Sequence, residues 1–377
     1  MAMQMGLHQD PDYLGDTNAE QKEIRRRLWY TILEMNIQAA LDSGMVPMIT
    51  ENDYNTLPPS SIEDVNIDPK GSEGVKETTL TSYPKSLQYI LARSISFRLK
   101  ATKVINSLEE EPSYESVLQL GHELASVCRE AAVSTSSGPS ELGSSPGGQF
   151  ANSFCSHLLN RFLLCLHFKY AMQATQNPLY SHSHRVCLEV ALALISLLDD
   201  DIYSRLLING SGMFRDIITR GALMVFLELN TLHQSGISEL AKRRNRARQE
   251  PLLIDAHRLV RYAKERMCHG ETNVKGYLFL KLATTQTEAL INEVPVEQAM
   301  KKAASESLDE CEFILGNIST CSDVIIEPGD FEAWRPGGST HIPIDLNSGL
   351  DSLDDDNFTF DLSDPSTFQN WTDLSIY

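Results

Sequence analysis

Gly6-Leu7-His8-Gln9-Asp10-Pro11, Glu23-Ile24-Arg25-Arg26-Arg27-Leu28-Trp29-Tyr30, Ser43-Gly44-Met45-Val46-Pro47, Asp53-Tyr54 and Leu57-Pro58 follow one another at the start of the chain. They read as one punctuated helical unit. Thr17 with Glu20 three residues later makes a capping-box pattern, and Asp16 is an alternative N-cap. Ile24, Leu28, Ile32, Met35 and Ala39 recur at helical spacing, an apolar stripe of the kind that packs on a core, with Glu23, Arg25 and Arg26 largely off it. Gly44 can take the left-handed backbone that ends a helix, and Pro47 prevents its continuation.

Outward from this unit the pattern stays helical. Pro58, Pro59, Pro69, Gly71 and Gly74 mark a polar loop over 52–81. Helices are predicted over 84–107 and from Pro112 onward, then a Ser/Gly/Pro linker. The stretch 150–176 is apolar on several sides, as suits a helix central to a bundle, and further helices are predicted over 181–198, 213–233, 252–267, 273–291 and 296–315. No alternating run is long enough for a sheet, and no fixed-period repeat occurs. The expected fold is all-α, a multi-helix bundle with a disordered acidic C-terminal tail.

The order of signals in the first stretch resembles the fungal-specific transcription factor domain, the helical regulatory region of fungal zinc binuclear-cluster transcription factors. Gly6, Leu7, His8, Arg25, Arg26, Arg27, Leu28, Trp29, Gly44, Pro47, Asp53, Leu57 and Pro58 carry the resemblance, with Asn36 where many members have Asp. Leu163-Leu164-Cys165-Leu166-His167, Pro178-Leu179-Tyr180, Ser183, Arg185 and Cys187-Leu188 resemble the second half of the same domain. This divides the chain into a first part of the regulatory domain (1–132), a flexible linker (133–149), a second part (150–320) and an acidic, aromatic activation segment (321–377). The resemblance implies a nuclear transcription regulator rather than an enzyme, one that controls a metabolic or secondary-metabolite gene cluster. Ala2–Leu7 reads as the end of a helix begun upstream, so the zinc cluster is expected to lie outside this chain. DNA binding and zinc are therefore expected only with an upstream cysteine cluster, and no cofactor is expected here. A homodimer is an open alternative, as is a regulator that acts by ligand sensing without its own DNA binding.

Charge and cysteines bound the rest. The 377 residues carry a net charge of −19, which disfavours nonspecific polyphosphate binding by the chain as a whole. From Asp323 onward twelve acidic residues face only Arg335. Among the last acids sit Phe358, Phe360, Phe368 and Trp371, a pattern in which acids keep a segment solvated while aromatics stay available to a coactivator groove. The seven cysteines show no Cys-x-x-Cys pair, against the six thiolates of a binuclear zinc cluster, and point to a reducing compartment. No signal peptide is expected from the polar first residues, and the longest apolar segment, 190–198, is too short to span a bilayer.

Four further constellations are weighed against plain structural roles. Lys242, Arg243, Arg244, Arg246 and Arg248 place five positive charges in seven residues, either a nuclear-import signal or a solvated face. Asp199-Asp200-Asp201 follows an apolar helix, as in all-α magnesium-dependent diphosphate enzymes, but Tyr203 and Ser204 stand where a second carboxylate is needed. His182-Ser183-His184 lacks a third metal ligand, and the Gly-x-Ser-x-Gly match at 143–147 has no strand before it.

Overall fold

The computed structural model describes residues 1–15, 17–60, 87–108, 112–136, 146–235 and 238–322. Among these there are ten α-helices and no strand. They are α1 (Ala19–Ser43), α2 (Leu87–Asn106), α3 (Tyr114–Ser136), α4 (Pro146–Met172), α5 (Ser181–Ser196), α6 (Tyr203–Asn209), α7 (Asp216–Gln234), α8 (Glu239–Cys268), α9 (Lys275–Ile291) and α10 (Val296–Ser322). The acidic segment with Phe358, Phe360, Phe368 and Trp371 lies outside the described residues. So does most of the Ser/Gly/Pro stretch.

The chain forms two compact units, Met1–Glu228 and Leu229–Tyr377. The division falls inside α7, where the sequence shows no break. In the first unit α4 is the central helix, packed by α2, α3 and α5, with α1 against α2. Cys155, Leu158, Leu159, Phe162, Leu164 and Ala171 of α4 are all buried, which matches its apolar character on several sides. In the second unit α8, α9 and α10 pack on one another through Met267, Tyr277, Leu278, Cys311 and Ile314.

Two expectations for α1 are corrected. Asn18 is its N-cap, with Oδ1 accepting from the Gln21 N–H at 2.7 Å. Asp16, Thr17 and Asn18 are all cap-competent in sequence, and Asn18 has the extended backbone that lets its side chain reach back. The apolar stripe also faces the other way. Ile24, Leu28 and Met35 are 53%, 45% and 68% exposed, while Trp29, Tyr30, Leu33, Ile37 and Leu41 form the buried face. Both sets recur at helical spacing, and burying the set with Trp29 and Tyr30 removes more apolar surface from water. Apart from Asp42, the exposed positions of α1 carry no charge.

The helix predicted from Leu252 starts thirteen residues earlier and runs through Pro251. A proline there withdraws the helical donor to the Ala247 carbonyl. Asn245 and Gln249 hold the preceding turns by donating to the Leu232 and Leu229 carbonyls at 2.7 and 3.5 Å, and Ala247 itself is exposed.

Candidate functional site

The residues that carry the family-like pattern converge on Asp10. Its side chain is 2% exposed. Arg26 donates to both its oxygens, Nε at 3.0 Å and Nη2 at 2.8 Å, and Nη2 also reaches Asp12 at 2.8 Å. The backbone N–H groups of Asp12 and Leu57 add bonds at 3.0 and 2.8 Å. Burial alone would raise the Asp10 pKa, but Arg26 and these two N–H groups outweigh it and hold the carboxylate well below its usual range. One ionised side chain thus ties the segment before α1, α1 itself and the segment after it.

The neighbouring motif residues complete this clasp. Gly6 sits at φ 70°, a backbone that only glycine adopts without strain, and turns the chain so that buried Leu7 enters the core. The Leu7 and His8 carbonyls accept from Thr56 Oγ1 at 2.9 Å and from the Asn55 N–H at 3.0 Å. Trp29 is fully buried, with the rings of His8 and Tyr54 6.3 and 5.7 Å away. Arg25 donates to the Met5 carbonyl at 3.1 Å, and Arg27 to Glu23 at 2.9 Å. Glu23 in turn accepts from the Ser60 N–H. Gly44 ends α1 at φ 67°, and Asp53 accepts from the Thr50 N–H at 2.7 Å. Leu28, Leu57 and Pro58 have exposed side chains, and Pro47 is half-buried. Asn36 accepts from the Ile49 N–H at 3.4 Å.

The second family-like stretch gathers around His167. Its Nδ1 lies 2.9 Å from Ser183 Oγ, which is 2.9 Å from the Tyr114 hydroxyl. Tyr114, Tyr170 and Tyr180 form a ring trio with centroids 4.8–5.1 Å apart. Gly121 lies so close that a Cβ there would fall 2.2 Å from His167 Nε2. Desolvation lowers the His167 pKa to about 4, with His182 adding a smaller push, and lowers that of His157 to about 3, with Arg161 adding. Both rings are neutral at physiological pH. Ser183 and His167 are buried and Tyr114 is half-buried, so this Ser–His–Tyr chain serves the packing of α3, α4 and α5.

Sequence reasoning missed the buried ion pairs that join these parts. Arg98, 0% exposed, pairs with both oxygens of Glu34 at 2.6 and 2.7 Å and lies over Phe162. Arg161 bonds Gln38 and Asp42. No local signal marks such partners. Asp10 did have one, an acid before proline inside the first motif.

The other candidates resolve into local roles. Asp200 accepts from the Ile202 and Tyr203 N–H groups and from Ser153 Oγ, so its carboxylate caps the turn into α6. His184 lies 3.6 Å from Glu228, and His182 stands against His167. Among the described residues no group of three or more His, Cys, Asp or Glu could hold a metal ion. Nor is any helix among them long and apolar enough to cross a membrane. Burial pushes the thiols of Cys128 and Cys155 up to about 11 and about 12. A cleft of about 370 Å³ between α2 and α3 is lined by Tyr89, Arg93, Phe97, His122, Glu123 and Glu130.

Lys242, Arg243, Arg244, Arg246 and Arg248 all lie exposed on the first half of α8. Lys242 pairs with exposed Glu239 at 3.0 Å, and Arg246 donates to the Ile291 carbonyl at 3.4 Å. Among the described residues Arg243 and Arg244 have no ion-pair partner.

Comparison with known proteins agrees with this geometry. The model of the fungal specific transcription factor domain matches residues 1–185, the region holding both clusters. The chain is 28% identical to the transcription factor lepE of Aspergillus flavus, over 100% of this chain and 46% of lepE. It is 29% identical to the transcription factor asR3 of Sarocladium schorii, over 94% of this chain and 45% of asR3. The aspyridones cluster regulator apdR of Emericella nidulans is 24% identical, over 84% of this chain and 45% of apdR. The chain thus spans about half the length of the relatives it matches. No solved structure matches. Residues 1–185 belong to the fungal specific transcription factor domain family.

Proposed function

We propose that this chain is the regulatory portion of a fungal transcription regulator that controls a secondary-metabolite gene cluster. The carrying observation is the clasp around Asp10, built by the residues of the family pattern, in a chain similar from end to end to named fungal transcription factors. Among the described residues no side-chain set is arranged for turnover of a substrate. It works in the nucleus, with the basic half of α8 as the import candidate and zinc-dependent DNA binding supplied by residues outside this chain. The acidic segment with Phe358, Phe360, Phe368 and Trp371 recruits coactivators.

The test tethers the chain to an unrelated DNA-binding domain beside a reporter. Reporter activation that drops when the four aromatics become Ala, with every acid kept, is the expected result. Equal output from the aromatic-free chain sinks the activation mechanism, and no output from either sinks the activator reading. The cleft between α2 and α3 favours a second reading, ligand sensing, since its volume lies at the lower end of small-molecule sites. Reporter output that changes with an added pathway intermediate, and stops doing so with Phe97→Ala, supports it.

A further inference from the structure

The first half of α8 gathers five exposed cations in seven residues. Arg26, Arg27, Arg98, Arg258 and Arg266 sit in acid pairs, with Asp10, Glu23, Glu34, Asp255 and Glu271, whereas Arg243 and Arg244 have no ion pair among the described residues. On α8 the five cations lie exposed within two turns, with Leu240 62% exposed one position beyond Glu239. The whole exposed side of this half-helix is therefore positive, with an apolar spot among the cations.

We propose that this face docks the chain's own acidic C-terminal segment, residues 345–364. That segment holds Asp345, Asp351, Asp354, Asp355, Asp356, Asp361 and Asp364 with no Lys or Arg, and Leu353, Phe358 and Phe360 lie among them. Its charge and its interleaved apolar residues complement the cations and Leu240. Reach permits the contact. α10 packs against α8 in the same unit and ends at Ser322. The 22 residues before Asp345 span at most ~75 Å when extended. The whole of α8, at 1.5 Å per residue, is only about 45 Å long. Tethering makes the encounter intramolecular, with an effective concentration no separate partner matches easily. Nucleic acid is the rival occupant, but a chain of net charge −19 repels a polyphosphate at long range, whereas it carries its own acidic segment with it. The docking stands on charge and reach alone. Its consequence rests on the function proposed above: one contact covers both the import candidate and two of the activating aromatics, Phe358 and Phe360.

Carbodiimide coupling of the full chain tests this, because it joins the Lys242 ammonium to a carboxylate only at contact distance. Peptide mapping is expected to find Lys242 linked to an acid within 345–364, in monomeric chains and with a yield independent of protein concentration. The yield should drop severalfold between about 0.05 M and about 0.5 M salt, as the Debye length shortens from roughly 14 Å to roughly 4 Å. It should drop similarly in the variant Arg243→Glu/Arg244→Glu, which leaves Lys242 in place and removes no ion pair among the described residues. No link to 345–364, a link found only between two chains, or a link unchanged in that variant overturns the proposal. So does duplex DNA held by the same arginines at physiological salt while the link persists.

Discussion

Arg25-Arg26-Arg27 in α1 and Arg243-Arg244 in α8 have nearly the same local composition, each in the first turns of a long helix. In α1 the three guanidiniums go to Met5, Asp10 with Asp12, and Glu23. In α8 Arg243 and Arg244 find no acid among the described residues. What separates them is the loop that returns to each helix. Asp10 and Leu57 close over α1, so its cations become part of the scaffold and are unavailable to a partner. A basic run in sequence is thus ambiguous until the acids that fold back on it are known.

Breaking the first region should cost far more than breaking the second. Asp10→Ala leaves Arg26 with only Asp12, whose side chain is 54% exposed, and leaves two N–H groups without their acceptor. A loss of about 3–5 kcal/mol is expected in urea unfolding, and a loss below 1 kcal/mol would show that the clasp is not structural. Trp29→Ala should cost a similar ~3–5 kcal/mol, while Leu28→Ala, one residue away on the outer face, should stay within ~0.5 kcal/mol. Equal losses would mean that the outer face of α1 is covered in solution.

Acid should act on the buried rings. His157 and His167 bind a proton more weakly folded than unfolded, so the unfolded chain takes up more protons as pH falls below 6.5 and stability falls with it. The expected loss is on the order of 2 kcal/mol for each ring between pH 6.5 and pH 5, read as a falling Tm. The slope should flatten in His157→Gln; an unchanged slope would assign the effect elsewhere. Gly121→Ala should cost about 1–3 kcal/mol, because its Cβ must displace His167. At the small end, Arg243→Ala with Arg244→Ala should change stability by no more than ~0.5 kcal/mol. A larger loss would show that the α8 cations, too, belong to the scaffold.

The helices were legible because caps, prolines and 3.6-residue periodicity are local. The choice of face on α1 was not, since two apolar sets share its 25 residues and only the arrival of α2 decides between them. Pro251 hid the first half of α8, because a proline reads as a helix start unless its neighbours are held from outside. The family pattern located the clasp, yet not its hub. Asp10 gains its meaning from Leu57, 47 residues away, and no spacing rule encodes that return.

Arg161 meets Asp42 across 119 residues. On a ribosome adding ~5–20 residues per second, Asp42 waits roughly 6–24 s for its counter-ion to be synthesised. The Asp10 clasp needs nothing beyond Ser60 and can close almost at once. The nascent chain therefore holds a finished N-terminal knot beside a half-built core whose acids are still solvated. During that interval Trp29 has its aromatic neighbours, while Ile37 and Leu41 still await the helices that bury them, and this is the stretch where a chaperone has most to shield.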